Sequence, residues 1–235
     1  MPAEPRIAPN YAWSGTLPEL VAAPAEHLLA RLIQFIPDST AAQQHAWRQE
    51  LDILHAQGAQ VLEFTAPTGV AGGDSAVLEY MLPREAGRRP DVLLLQNGRL
   101  VVMEFKEGSQ PRHAALDQVQ AYALDLAAYH EGCEGLEVLP VLVLCGSGAR
   151  RRKLSGVEVV PAAELGQALV ALGRTSAAPP VALATFLAGE YEPLPTLVAA
   201  ARLLFDNLRL PFIKRAQSAG VHAAVAHVIA LFHQA

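Results

Sequence analysis

Asn97-Gly98 lies between two apolar runs, Asp91 to Leu95 and Leu100 to Lys106, and no other feature of the chain restricts its folding so tightly. Both residues tolerate the positive φ that a type I′ turn demands, so the runs are expected to close as a β-hairpin with a two-residue loop. That loop length fixes the register. Gln96 falls opposite Arg99, Leu95 opposite Leu100, Leu93 opposite Val102, and Asp91 opposite Glu104. Lys106 lies two residues beyond Glu104 and projects from the same side of its strand, since side chains alternate with period two. Val92, Leu94, Val101, Met103 and Phe105 occupy the other side, so the hairpin is apolar on both faces and is expected to be buried.

The rest of the chain supplies cover for such a pair. Leu28, Leu29, Leu32, Ile33 and Ile36 recur at helical spacing, and Asp38-Ser39-Thr40 reads as the cap of a second helix carrying Trp47, Leu51 and Leu54. Gly58 is expected to end that helix. Pro67 to Asp74 reads as a Gly-rich loop, and Ala76 to Leu82 as a β-strand that includes Glu79. Downstream, Arg112 to His130 is helical, Leu139 to Cys145 and Val157 to Val160 are strand-like, and Ala162 to Leu172 is helical. Strands alternating with helices indicate an α/β fold with a mixed central sheet flanked by helices, carrying helical extensions at both ends. The expected divisions are an N-terminal helical segment over 1–59, a core over 60–173, and a C-terminal helical extension over 174–235, with Thr175 to Pro180 as a linker and Val221 to Gln234 as its last helix.

Composition narrows the function classes. Hydrophobic residues form 51% of the 235 and charged residues 17%, too apolar for a disordered chain. Apolar stretches such as Val138 to Cys145 fall far short of the ~20 residues of a membrane helix, and Met1 to Pro9 lacks a signal-peptide pattern, so a cytoplasmic protein without membrane contact is expected. Two separated cysteines, Cys133 and Cys145, argue against a disulfide framework or a cysteine-built zinc site. A net charge of −5 argues against coating nucleic acid by bulk electrostatics but leaves room for a local basic groove.

Two carboxylates facing each other in a buried hairpin repel, and burial makes an uncompensated pair costly, so a cation, a proton or a partner must intervene. A hard dication such as Mg²⁺, or Mn²⁺, takes one or two carboxylates plus water, which suits facing acids at a strand end. Metal-bound water is a nucleophile, and Lys106 is placed to orient it or to offset charge on a phosphate, which makes a phosphodiester the expected substrate. The plainer alternative is that Asp91 and Glu104 are solvated strand ends with Lys106 as a surface ion-pair partner.

Pro90-Asp91, twelve intervening residues, and Glu104-Phe105-Lys106 resemble the PD-(D/E)XK signature of restriction-endonuclease-like nucleases. Gln118-Val119-Gln120-Ala121-Tyr122, in the helix that follows, is similar to the QxxxY element of RecB-like members, and its Gln and Tyr share a helix face. Glu79-Tyr80-Met81-Leu82-Pro83-Arg84, Arg89-Pro90-Asp91-Val92 and Tyr122-Ala123-Leu124-Asp125-Leu126 resemble the N-terminal region of bacterial Schlafen-group-3-like DNA/RNA helicases, and Tyr191-Glu192-Pro193, Pro195-Thr196 and the Val221 to Gln234 helix are similar to the segment that precedes the ATP-binding domain in those proteins. The resemblance implies Asp91, Glu104, Lys106 and Gln118 as catalytic residues, Asp91 and Glu104 with Glu79 as metal ligands, and DNA as substrate, with RNA left open. It also implies a helicase domain or subunit as partner and a role in DNA processing or defence against foreign DNA. Many such nucleases take an acid from their first helix, whereas Glu79 is read here on a strand. The chain contains no G-x-x-x-x-G-K-[ST] loop, so it has no P-loop of its own.

Arg150-Arg151-Arg152-Lys153 follows a strand and is either a solvated loop or a track for a phosphate backbone. Arg84, Arg88 and Arg89 add charge near the acidic hairpin. Arg84, Arg89, Tyr122, Arg151 and Arg152 are the expected nucleic-acid contacts. The rival reading from another class is a non-catalytic nucleic-acid-binding or adaptor module that retains a nuclease-like fold.

Overall fold

The computed structural model describes residues 9–66, 73–83, 85, 87–173 and 179–193. Arg84, the Val221 to Gln234 helix and most of the C-terminal extension lie outside the described residues. Seven strands form one mixed sheet: β1 (Trp13–Thr16), β2 (Ser75–Leu78), β3 (Val92–Gln96), β4 (Arg99–Lys106), β5 (Glu137–Leu144), β6 (Arg152–Leu154) and β7 (Val157–Pro161), in the order β1-β2-β3-β4-β5-β7-β6. The first four pair antiparallel, β4, β5 and β7 are parallel, and β6 returns antiparallel at the far edge. Among the described residues no helix is long and apolar enough to cross a membrane.

The hairpin has the expected register, with Gln96 opposite Arg99, Leu93 opposite Val102 and Val92 opposite Met103. Asn97 and Gly98 take φ of 42° and 77°, the left-handed pair that the turn requires. Asp91 stands one residue before β3, so the ladder ends at the Val92–Met103 pair and the expected Asp91–Glu104 pair lies just beyond it. Val92, Leu94, Val101, Met103 and Phe105 all enter one hydrophobic cluster, and Leu93, Leu95, Leu100 and Val102 the opposite one. The sheet is therefore covered on both faces.

On the first face lie α1 (Leu17–Ala22), α2 (Ala25–Phe35), α3 (Ala41–Thr65) and α5 (Leu165–Gly173), and on the second α4 (His113–Tyr129) and α6 (Leu183–Ala188). Thr40 caps α3 by accepting the Gln43 N–H, as its place before the apolar stripe implies. The helix does not stop at Gly58 but continues to Thr65. Gly58 faces α1 so closely that a Cβ would come within 2.8 Å of a Val21 methyl, so the glycine serves helix packing rather than termination. The first 59 residues do more than supply helices. They carry the edge strand β1, and α3 crosses position 60 without a break, its Trp47, Leu51, Leu54 and Val61 sharing a core with β3 and β4.

Two short strands carry little periodicity of their own. β1 is followed directly by α1, whose Thr16 and Glu19 form a reciprocal capping box. β6 folds back on β7 through Ser155-Gly156, both at positive φ. β2 ends at Leu78, because Glu79 adopts φ 51° and turns the chain out of the sheet, so Glu79 sits just past the strand rather than on it.

Candidate active site

Three element ends meet at one edge of the sheet: the exit of β2, the entry of β3 and the exit of β4. α3 covers this edge from one face and α4 from the other. Between them opens a cleft of about 330 Å³ lined by Glu50, Glu79, Asp91, Glu104 and Lys106, with Gln118 and Tyr122 on its α4 wall. The Glu79 N–H donates to the Asp91 carbonyl at 2.9 Å, which ties the turn after β2 to the start of β3.

The acids are held differently. Asp91 Oδ2 accepts the Phe105 backbone N–H at 2.7 Å, so its carboxylate reaches across to β4. Glu104 is 2% exposed; its Oε1 accepts from Lys106 Nζ at 2.7 Å, and its buried Oε2 has no hydrogen-bond partner among the described residues. The solvated strand end that was the plainer alternative does not describe Glu104. Both Glu79 oxygens are engaged: Oε1 accepts from the Trp47 indole N–H at 2.7 Å, and Oε2 takes a short ion pair from Arg89 Nε.

Glu50 is the residue that sequence reading missed. It sits three residues after Trp47 and four before Leu54, on the stripe that α3 turns toward the sheet, so the helix carries an acid into the cleft. A charged residue at a core position of an amphipathic stripe was the signal.

Four carboxylates thus share the cleft with two cations, Lys106 and Arg89, which leaves two negative charges if every group is ionised. The electrostatics register this excess. Burial, then the neighbouring Glu79 and Glu104 charges, push Glu50 up to about 8. Burial first, then Glu104, Glu50 and Glu79, hold Asp91 well above the usual carboxylate range. Burial also raises Glu104 and Glu79, although Lys106 pulls the first down and Arg89 the second. Burial alone would depress Lys106, but Glu104, aided by Asp91 and Glu50, more than offsets it and keeps the ammonium above its ordinary value.

On the α4 wall, Gln118 donates to the Tyr122 hydroxyl at 3.1 Å, and the Arg88 guanidinium lies 5.1 Å from the Tyr122 ring centre. Gln118 and Tyr122 therefore share the helix face that their spacing implied, turned toward the acids. The arginines expected at a nucleic acid are not equivalent. Arg89 is occupied by Glu79 and the Gly87 carbonyl, and Arg152 by Gln110 at 2.8 Å, whereas Arg151 is exposed.

Among the described residues, no group of three or more His, Cys, Asp or Glu side chains has an arrangement that could hold a metal ion. No family model, curated protein or solved structure matches the chain.

Proposed function

We propose that the chain is a divalent-metal-dependent phosphodiesterase that hydrolyses nucleic acid, with Asp91, Glu104 and Lys106 at its centre. The observation that carries the reading is the charge excess in the cleft: four carboxylates face two cations, and one buried oxygen, Glu104 Oε2, has no hydrogen-bond partner among the described residues. Such an arrangement needs positive charge from outside, and a hard dication fits an all-oxygen donor set. The resemblance of Pro90-Asp91 and Glu104-Phe105-Lys106 to the PD-(D/E)XK signature supports the same reading.

Asp91 and Glu104 would hold the ion as a pair, with water completing its shell and Glu50 adding negative charge to the same cleft; Glu79, whose two oxygens are engaged by Trp47 and Arg89, would support the site. When bound, Mg²⁺ or Mn²⁺ supplies a Lewis acid for the phosphate and lowers the pKa of a coordinated water. The chain's residues do the remainder. The Phe105 N–H fixes one Asp91 oxygen and so aims the other. Lys106 orients the Glu104 carboxylate and places a cation where charge develops on the phosphate oxygens. Gln118, anchored on Tyr122, contributes an amide at the cleft wall. DNA is the proposed substrate, with RNA as the second arm of the test, and a helicase domain or subunit the proposed partner in DNA processing or defence.

The test is cleavage of labelled single- and double-stranded DNA and RNA in Mg²⁺, Mn²⁺ or EDTA by the wild type, Glu104→Gln and Lys106→Ala. Cutting is expected only with metal, abolished in Glu104→Gln and slowed about 10²- to 10³-fold in Lys106→Ala, the usual cost of removing one charge-stabilising group. Cleavage in EDTA, or undiminished in Glu104→Gln, contradicts the reading. Nucleic-acid binding without any cleavage transfers the chain to the adaptor class.

A further inference from the structure

The sheet register places the basic run beside the cleft. Arg152 pairs with Val159 on β7, Val159 with Leu142 on β5, and Leu142 with Glu104 on β4, so Arg152 and Glu104 stand in one row across four strands. Three strand spacings separate them, about 14 Å. Because β6 runs opposite to β7, Arg151 and Arg150 lie further out than Arg152, toward the same edge at which β4 delivers Lys106.

The loops that bear these residues are fastened to the loop leaving the site. The Cys145 N–H donates to the Lys106 carbonyl at 3.0 Å, and the Gly146 N–H to the Gly108 carbonyl at 2.9 Å. Gly146 approaches so closely that a Cβ would come within 2.3 Å of the Gly108 carbonyl carbon, and Arg152 reaches Gln110 across the same seam. This seam brings the loop carrying Arg112 alongside the one carrying Arg150 and Arg151.

These three arginines differ from the other cations around the site. Arg88, Arg89, Arg152, Lys106 and Lys153 are each bonded to a carboxylate or an amide. Arg112, Arg150 and Arg151 are exposed, with no ion pair or side-chain hydrogen bond among the described residues. In a chain of net charge −5, the stretch 138–156 holds four basic residues and no acid. Glu107 and Asp117, both exposed, are the acids nearest in sequence to Arg112 and leave the three arginines in excess.

We propose that Arg112, Arg150 and Arg151 form a phosphate-binding ledge that carries the nucleic-acid backbone out of the cleft across the β5–β7–β6 side of the sheet. The proposal rests on the reading of the cleft as a nucleic-acid site. Arg152 is the brace of this ledge, and the contacts are made by its two predecessors and by Arg112. Phosphate contacts of this kind position a substrate without reading its sequence, so the ledge serves single strands and duplexes alike.

The test measures binding of a single-stranded and a duplex oligonucleotide, in EDTA and again with Ca²⁺, as a function of salt. The proteins are the wild type, the triple variant Arg112→Ala/Arg150→Ala/Arg151→Ala, and Arg31→Ala, which removes an exposed arginine from α2. Each phosphate contact contributes about 0.7 to the salt slope for a single strand and about 0.9 for a duplex. The triple variant should therefore lose about 2 from the slope on single strands and bind at least about 10-fold more weakly at low salt, with an unchanged melting temperature, while Arg31→Ala matches the wild type. An unchanged slope in the triple variant, an equal loss in Arg31→Ala, or a wild type that binds neither oligonucleotide overturns the ledge. Cleavage in Mg²⁺ or Mn²⁺ is scored separately: cutting with an unchanged slope removes the ledge alone, and a lost slope without cutting removes the nuclease reading alone.

Discussion

At the scale of single residues, the cleft is built from conflicts that its neighbours only partly settle. Glu79 has two donors, Asp91 has one backbone donor, Glu104 shares one oxygen with Lys106, and Glu50 is raised to about 8. Glu50→Gln removes one of the four carboxylates without changing side-chain size. It should weaken Mn²⁺ binding and slow cleavage, yet stabilise the metal-free protein at pH 9 by on the order of 2 kcal/mol, read from urea unfolding. Loss of stability in that variant at pH 9 contradicts the assignment of Glu50 to the cleft. Trp47→Phe has the opposite character, since it strips the indole donor from a buried carboxylate and should cost about 1–3 kcal/mol without reversing on added metal. What the sequence made legible here was the meeting of Asp91, Glu104 and Lys106 at one cleft, because a two-residue turn fixes the hairpin register that brings the entry of β3 beside the exit of β4. It did not reveal that Glu79 is consumed by Trp47 and Arg89, since those contacts join residues 32 and 10 positions apart through tertiary packing.

Among the elements, the legible ones are those whose order is local. The β3–β4 hairpin, the capped start of α3 and the β4-α4-β5 unit follow from turn chemistry and periodicity, and each lies within two residues of its expected place. The expectations that failed involve packing between elements. Gly58 resembles a helix terminator in isolation, but its function is to admit Val21 of α1, which no local pattern reports. Gly58→Ala should therefore destabilise the fold by about 1–3 kcal/mol, although alanine is the better helix former, and urea unfolding distinguishes the two outcomes. A stabilised variant would mean that the α1–α3 approach has room to spare. Strands β1 and β6 were missed for a related reason. They are four and three residues long, and each becomes a strand only because a neighbouring strand, β2 or β7, offers it a free edge.

For the molecule as a whole, the cleft ties stability to pH and, under the proposed function, to metal. Glu50, Asp91 and Glu104 all bind protons more tightly in the folded chain than in the unfolded one. Their raised folded pKa values mean that the metal-free fold is favoured at low pH and loses stability as pH climbs from the ordinary carboxylate value near 4.5 toward about 8, where Glu50 ionises. A dication that binds only the ionised, folded site reverses that slope, so added Mn²⁺ should raise the melting temperature at pH 8 and have little effect at pH 5.

Calorimetric titration of the folded chain with Mn²⁺ at pH 8, beside Asp91→Asn and Glu104→Gln, tests the proposed metal site directly. A saturable site is expected in the wild type, weakened at least about 10-fold in either variant while both remain folded, because each substitution removes an ionised oxygen donor. A folded wild type that takes up no ion, or variants that bind Mn²⁺ as well as the wild type does, would contradict it.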